Sequence, residues 1–303
     1  MPTEDAPPRL FCFGLGYTAR VLAARLLARG WQVAGTTRGD DEATALARSG
    51  FEVFLFDRDR PLADAGAALA GTTHLLSSVP PDQDGDPVIV GHGADIAALG
   101  GLSWAGYLST TGVYGDRDGA WVDEDAPLEP TGARGRARVA AEAAWLALAR
   151  DHGVPVHLFR LAGIYGPGRN ALATVTAGQA KRIDKPGQVF SRIHVDDIAA
   201  VLEASMARPN PGRAYNVCDD DPAPPAEVIA HACDLLGVAP PPLVPFAQAE
   251  LSAMARSFYR DNKRVSNRRI KQELGVELWE HVGVVLEAMQ GIAGDLDLEG
   301  QRA

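Results

Sequence analysis

A short apolar run, Leu10-Phe-Cys-Phe13, meets Gly14-Leu-Gly-Tyr-Thr-Ala19 and passes directly into an Ala- and Leu-rich helical pattern. A strand that turns through Gly-x-Gly-x-x-Ala straight into a helix leaves few folds open. It is the layout of a phosphate-binding turn that starts a dinucleotide fold. Gly14 lets the chain leave the strand tightly, and Gly16 lets a pyrophosphate approach the backbone. Ala19 is small enough for the helix to lie close on the sheet. The unpaired N–H groups and positive end of that helix would face the phosphates. Gly14, Gly16, Tyr17, Thr18 and Ala19 are the first cofactor-binding candidates.

The first half continues the alternation. Apolar runs at Leu10–Phe13, Gln32–Thr36, Glu52–Phe56, Thr73–Ser77, Gly106–Ser109 and Val156–Phe159 read as strands. Helical patterns lie between them, at Thr18–Arg29, Asp41–Ser49, Leu62–Leu69, Ala94–Leu99 and Arg136–His152. Gly30 is placed to end the first helix. Strands apolar throughout and alternating with helices imply an α/β fold of Rossmann type, a doubly wound parallel sheet covered on both faces. After Ile164 the pattern turns irregular, with Tyr165-Gly-Pro-Gly168 as a turn and helical stretches at Asp197–Ala207, Ala226–Leu236 and Trp279–Ile292. Residues 1–165 are therefore expected to form the dinucleotide domain, and 166–303 mainly a smaller C-terminal α/β substrate domain interleaved with it. Trp104, Trp121 and Trp145 are expected to supply buried apolar area.

The formal charge of −10 argues against nucleic acid and anionic membranes, which need basic surface. No apolar run reaches the roughly 18 residues of a membrane span. Met1–Pro8 is acidic and Pro-rich, unlike a signal peptide, so a cytoplasmic setting is expected. The three cysteines, Cys12, Cys218 and Cys233, have neither metal-ligand spacing nor an even count for a disulfide framework. Expected partners are a small-molecule substrate and a homodimer partner.

An acidic residue ending the second strand would grip the ribose of NAD. The second strand here ends Thr36-Thr37-Arg38. These hydroxyl and guanidinium donors suit a 2′-phosphate, which favours NADP over NAD. Asp57 ends the third strand, where an adenine could lie, and Ser77-Ser78 ends the fourth, below the cofactor path. Both could equally be ordinary strand ends.

Three further segments carry a family resemblance: Ser109-Thr-Thr-Gly-Val-Tyr-Gly115, Phe159-Arg-Leu-Ala-Gly-Ile-Tyr-Gly-Pro-Gly168 and Ile193-His-Val-Asp-Asp-Ile-Ala199. With the glycine turn, the chain from Leu10 to Met289 resembles the extended short-chain dehydrogenase/reductases, the NAD-dependent epimerase/dehydratase group. Its Gly-x-Gly-x-x-Ala turn looks like an atypical branch. The resemblance implies that Thr110 orients a substrate oxygen and that Ala162 and Gly163 line the nicotinamide. It also implies a helix-borne Tyr-x-x-x-Lys pair as acid/base machinery. Aligning Gly135 and Ala140-Ala-Glu142 puts Arg134 at the Tyr position and Arg138 at the Lys position. Arg138 can still bind ribose hydroxyls. Arg134 stays protonated and cannot be the base, although it can pair with phosphate or substrate charge.

Two readings follow. Either another group moves the proton, with Tyr114, Tyr165 and His194 as candidates and Tyr107 behind them, or the chain binds NADP and acts as a silent sensor. His194 has a useful intrinsic pKa but also stands where a helix begins. On the substrate side Arg169, Asn170, Lys181, Arg182, Arg192, Lys263 and Arg264 could converge on an anion such as a nucleotide sugar, with Arg169 the first choice. Expected chemistry is hydride transfer at a hydroxyl or carbonyl carbon.

Overall fold

The computed structural model describes residues 7–278; the expected helix at Trp279–Ile292 lies outside them. The chain runs β1 (Arg9–Phe13), α1 (Tyr17–Ala28), β2 (Gln32–Thr37), α2 (Asp40–Arg48), β3 (Glu52–Leu55), α3 (Ala65–Leu69), β4 (His74–Ser77), α4 (Pro87–Ala97) and β5 (Trp104–Thr110). Then come β6 (Trp121–Val122), α5 (Ala133–His152), β7 (Val156–Leu161), β8 (Gly163–Tyr165), α6 (Ala171–Thr176), β9 (Arg182–Asp184) and β10 (Arg192–His194). The rest is α7 (Val195–Ala207), β11 (Ala214–Val217), α8 (Pro225–Leu236), β12 (Leu243–Pro245), α9 (Ala253–Phe258) and β13 (Arg264–Val265).

Seven parallel strands form the central sheet in the order β11-β7-β5-β4-β1-β2-β3. Alternate residues of β1 feed opposite cores. Leu10 and Cys12 pack toward the Leu22 and Leu202 side, and Phe11 and Phe13 toward the Val88 and Trp145 side. Both faces are buried, as continuous apolar strands require. The six expected strands are present. The seventh, β11, comes from beyond Ile164 and pairs Tyr215 with Phe159. With α7, whose Asp196 meets Arg25 of α1 at 2.7 Å, it returns the later chain to the first sheet.

α4 starts seven residues before the expected Ala94. Asp86 accepts hydrogen bonds from the Val88 and Ile89 amides, and Pro87 occupies the first turn, a strong start signal hidden in an apolar run that reads equally as strand. Trp104 and Trp145 are buried as expected, but Trp121 is 61% exposed. β6 is a two-residue ribbon on β13; Val122 takes the inward position and Trp121 points out.

Candidate functional site

The carboxyl ends of β1, β4, β5 and β7 open into a cleft of about 1490 Å³, lined also by Ala255, Ser257–Asp261 and Lys263. One end is built by the glycine turn. Gly14 has φ +85°, and a Cβ there would stand 2.8 Å from Ser78 Oγ. The turn is pinned from β2, since the Gly14 amide donates to Thr36 Oγ at 2.8 Å. Gly16 caps α1 with no side-chain hydrogen bond, so the first amides of the helix have no intrahelical partner. A Cβ on Gly16 would meet nothing within 4 Å. Bare amides at a helix start beside open space fit a dinucleotide pyrophosphate. Tyr17 and Thr18 line the cleft. Ala19 is fully buried, where a larger side chain would push α1 off the sheet.

Thr37, Arg38, Asp57 and Ser77, expected along the cofactor, are not among the residues that line the cleft. Thr36 is occupied by Gly14. The Thr37 hydroxyl donates to Glu42, which also takes Arg20. Glu42 thus brings an acidic group back to the end of β2 from the first turn of α2, a residue the strand-end rule misses because the helix folds it back. Arg38 is exposed. Asp57 is tied into its own turn, bonding the Asp59 amide at 3.0 Å and Arg60 at 3.2 Å. Ser77 is buried with its hydroxyl unpartnered, whereas Ser78 lines the cleft and donates to the Gly14 carbonyl at 2.6 Å.

At the other end, Thr110, Arg134, Arg138, Ala162, Gly163 and Arg169 all line the cleft. α5 reaches this place because Gly135 lets it approach: a Cβ there would be 2.9 Å from the Gly112 carbonyl. Thr110 Oγ accepts from the Gly112 amide at 3.1 Å. The Arg134 guanidinium bonds Ser257 at 3.2 Å and lies over the Phe258 ring. Arg138 folds back under β5, onto the Leu108 carbonyl and the Tyr107 hydroxyl. Arg169 lies over the Tyr17 ring. The Ala162 and Gly163 amides are used by Val217 and Ser191, so only their surfaces face the cleft.

Of the expected catalytic and substrate-binding residues, Tyr114 and His194 do not line the cleft. Tyr114 is fully buried, donates to Asn216 at 2.7 Å and accepts from Arg160 at 2.9 Å; burial pushes its phenol up to about 12. It is a structural crosslink, not a cleft residue. His194 is 4% exposed, caps α7 by accepting from the Asp196 amide and packs edge-on against Tyr165. Of the other basic residues, Arg192 and Lys263 line the cleft, while Lys181, Arg182 and Arg264 are spent on the Glu250, Pro241 and Gly119 carbonyls.

Asp219, two residues past β11, has one carboxylate oxygen buried without a partner. Burial pushes its carboxyl up to about 7. The folded protein then keeps a proton that an unfolded Asp loses near pH 4. Its contribution to stability therefore falls as pH rises from about 4 to about 7. Asp219→Asn is expected to melt above wild type at pH 8, with the gap closing toward pH 4. A gap independent of pH would contradict this.

Among the described residues no helix is long and apolar enough to cross a membrane. The model of the NAD dependent epimerase/dehydratase family matches residues 96–218. Protein YeeZ of Escherichia coli K12 is 31% identical over 241 residues, 75% of this chain and 84% of that protein. A solved structure of a functionally unknown conserved protein from Silicibacter pomeroyi is 55% identical, with TM-score 0.86, over 94% of this chain and 98% of that one. UDP-glucuronic acid 4-epimerase from Bacillus cereus, solved with UDP-glucuronic acid and NAD, is 15% identical with TM-score 0.73, over 92% and 97% of the two chains; it shares the fold. With the parallel sheet, the glycine turn and a relative matched along 84% of its own length, the chain belongs to the NAD-dependent epimerase/dehydratase family.

Proposed function

We propose that this protein binds a nicotinamide dinucleotide along the cleft and transfers hydride at a hydroxyl or carbonyl carbon of a small substrate. The observation that carries the reading is the uncapped start of α1 opening at Gly16 into a cleft that runs on to Thr110 and Gly163. A bound dinucleotide would supply the hydride chemistry. Gly16, Tyr17 and Thr18 would hold its phosphates, Arg138 its ribose, and Ala162 and Gly163 the nicotinamide side. Thr110 would orient the substrate oxygen. Residues 1–165 would serve mainly the cofactor and 166–303 mainly the substrate; Arg134, Arg169 and Arg192 favour an anionic molecule such as a nucleotide sugar.

NADP is the preferred cofactor in this reading, because exposed Arg38 is at the end of β2. Arg38→Ala is expected to weaken NADP binding about tenfold or more and leave NAD unchanged, since a charged hydrogen bond to phosphate is worth roughly 1.5–3 kcal/mol. Calorimetry with both nucleotides checks it, and wild-type protein that prefers NAD removes the assignment.

A second reading, a catalytically silent NADP-binding sensor, is favoured by Arg134 in the acid/base position. Purified protein with NADPH and a panel of aldehydes, ketones and keto acids separates the two. Saturable NADPH oxidation supports the enzyme; binding without oxidation supports the sensor.

A further inference from the structure

All six tyrosines of the chain fall within the described residues, and Tyr17, Tyr165 and Tyr259 line the cleft. Tyr17 gives its hydroxyl hydrogen to the Pro167 carbonyl and lies under Arg169. Burial pushes Tyr165 up to about 12, and Asp219 and Asp197 push it the same way. Burial also raises Tyr259, whose ring is wedged against Phe190 and Phe246. These shifts take the phenols away from the neutral range that favours proton exchange. No described histidine or cysteine lines the cleft. Apart from arginines, the remaining ionisable lining residues are Asp261 and Lys263.

Those two line the same cleft as Thr110. The Lys263 ammonium donates to the Gly115 carbonyl at 2.8 Å. Gly115 ends the turn that Thr110 begins. Asp261 accepts from the Thr131 hydroxyl at 2.5 Å, and Thr131 immediately precedes Gly132, the cap of α5. The two charges are 3.9 Å apart, with the Lys263 side chain 11% exposed. The pair therefore spans from the Thr110 turn to the start of α5, one turn from Arg134. An ammonium has three donors, so N–H bonds remain for a substrate oxygen.

We infer that Lys263, held by Gly115 and faced by Asp261, is the proton donor of this cleft in place of a helix tyrosine, an assignment that rests on the hydride-transfer reading. A bound reduced nicotinamide would supply hydride to a carbonyl carbon, and the C=O π pair would move to oxygen. That oxygen takes a proton from the Lys263 ammonium, leaving an alcohol and a neutral amine that regains its proton from water. The charges facing Lys263 are Asp261, Asp116 and Arg117. Burial and Arg117 draw the amine below its usual range, while Asp261 and Asp116 push back.

The test uses the full chain, with Lys263→Arg and Lys263→Met. Arginine keeps the charge but cannot release a proton. Calorimetry first establishes whether wild type binds NADH or NADPH, and a thermal melt establishes that the variants fold. Reductive methylation with formaldehyde and cyanoborohydride, read at Lys263 by mass spectrometry against pH, is expected to show a midpoint below that of a free lysine side chain. Both variants are expected to lose about 10²–10⁴-fold in kcat on the carbonyl panel. A Lys263→Arg variant within tenfold of wild type overturns the assignment, as does a methylation midpoint equal to that of a free lysine side chain. Wild type that binds nucleotide but reduces nothing overturns this assignment together with the hydride-transfer reading it rests on, and leaves nucleotide binding standing. Wild type that binds no nicotinamide nucleotide sinks the cofactor reading as well.

Discussion

Gly16→Val should fold like wild type and lose about 100-fold or more in nicotinamide dinucleotide affinity. Gly16 has φ −81° and ψ −171°, an ordinary extended conformation that valine adopts readily. A Cβ there meets nothing within 4 Å, so the folded state has room for the branch. The cost to the helix start is a few tenths of a kcal/mol to about 1 kcal/mol. The same branch fills the space a phosphate would occupy. Two charge-assisted hydrogen bonds at roughly 1.5–3 kcal/mol each correspond to at least about two orders of magnitude in Kd. Gly14→Val provides the contrast. Its φ of +85° and the 2.8 Å approach to Ser78 Oγ predict a loss of stability that precedes any loss of binding. Calorimetry and thermal melts on both variants decide it. A Gly16→Val protein that binds as well as wild type would remove the phosphates from this turn.

The largest stability effect is expected at Arg160. Its guanidinium and Glu142 meet at 2.8 Å with side chains only 6% and 3% exposed. The same guanidinium donates to Tyr114 and to the Glu124 carbonyl at 3.1 Å, while Ser109 donates to Glu142 at 2.5 Å. Arg160→Leu leaves the Glu142 carboxylate buried without its cation, at a cost of about 3–5 kcal/mol. Arg160→Leu combined with Glu142→Leu removes both charges and is expected to recover much of that loss, because replacing a buried pair by apolar groups is often near neutral. Urea unfolding of the two variants measures this. A single variant as stable as wild type, or a double variant worse than the single, would show that the pair is not what anchors β5 to α5 and β7.

Much of the fold is legible in the sequence. Continuous apolar strands, helical spacing and the glycine turn each have a local cause, and the six early strands fall where those patterns lie. The start of α4 was not legible, because Pro87-Val-Ile-Val90 satisfies strand and helix alike until Asp86 is seen capping it. Nor was Trp121 on its exposed ribbon, since hydrophobicity alone does not say which side of a two-residue strand meets solvent.

The site divides along the same line. Gly14, Gly16 and the absence of tyrosine at Arg134 are properties of short segments, so the linear order of residues determined them. Which groups share the cleft depends on approaches across more than a hundred residues, as when Asp261 reaches Thr131 and Lys263 reaches Gly115. Tyr114 and His194 sit in motifs that look reactive, yet packing turned one into the core and made the other a helix cap. Local stereochemistry follows from neighbours in the chain, whereas exposure, charge pairing and proton affinity follow from neighbours in space, and only the folded sheet with its returning C-terminal segments decided those.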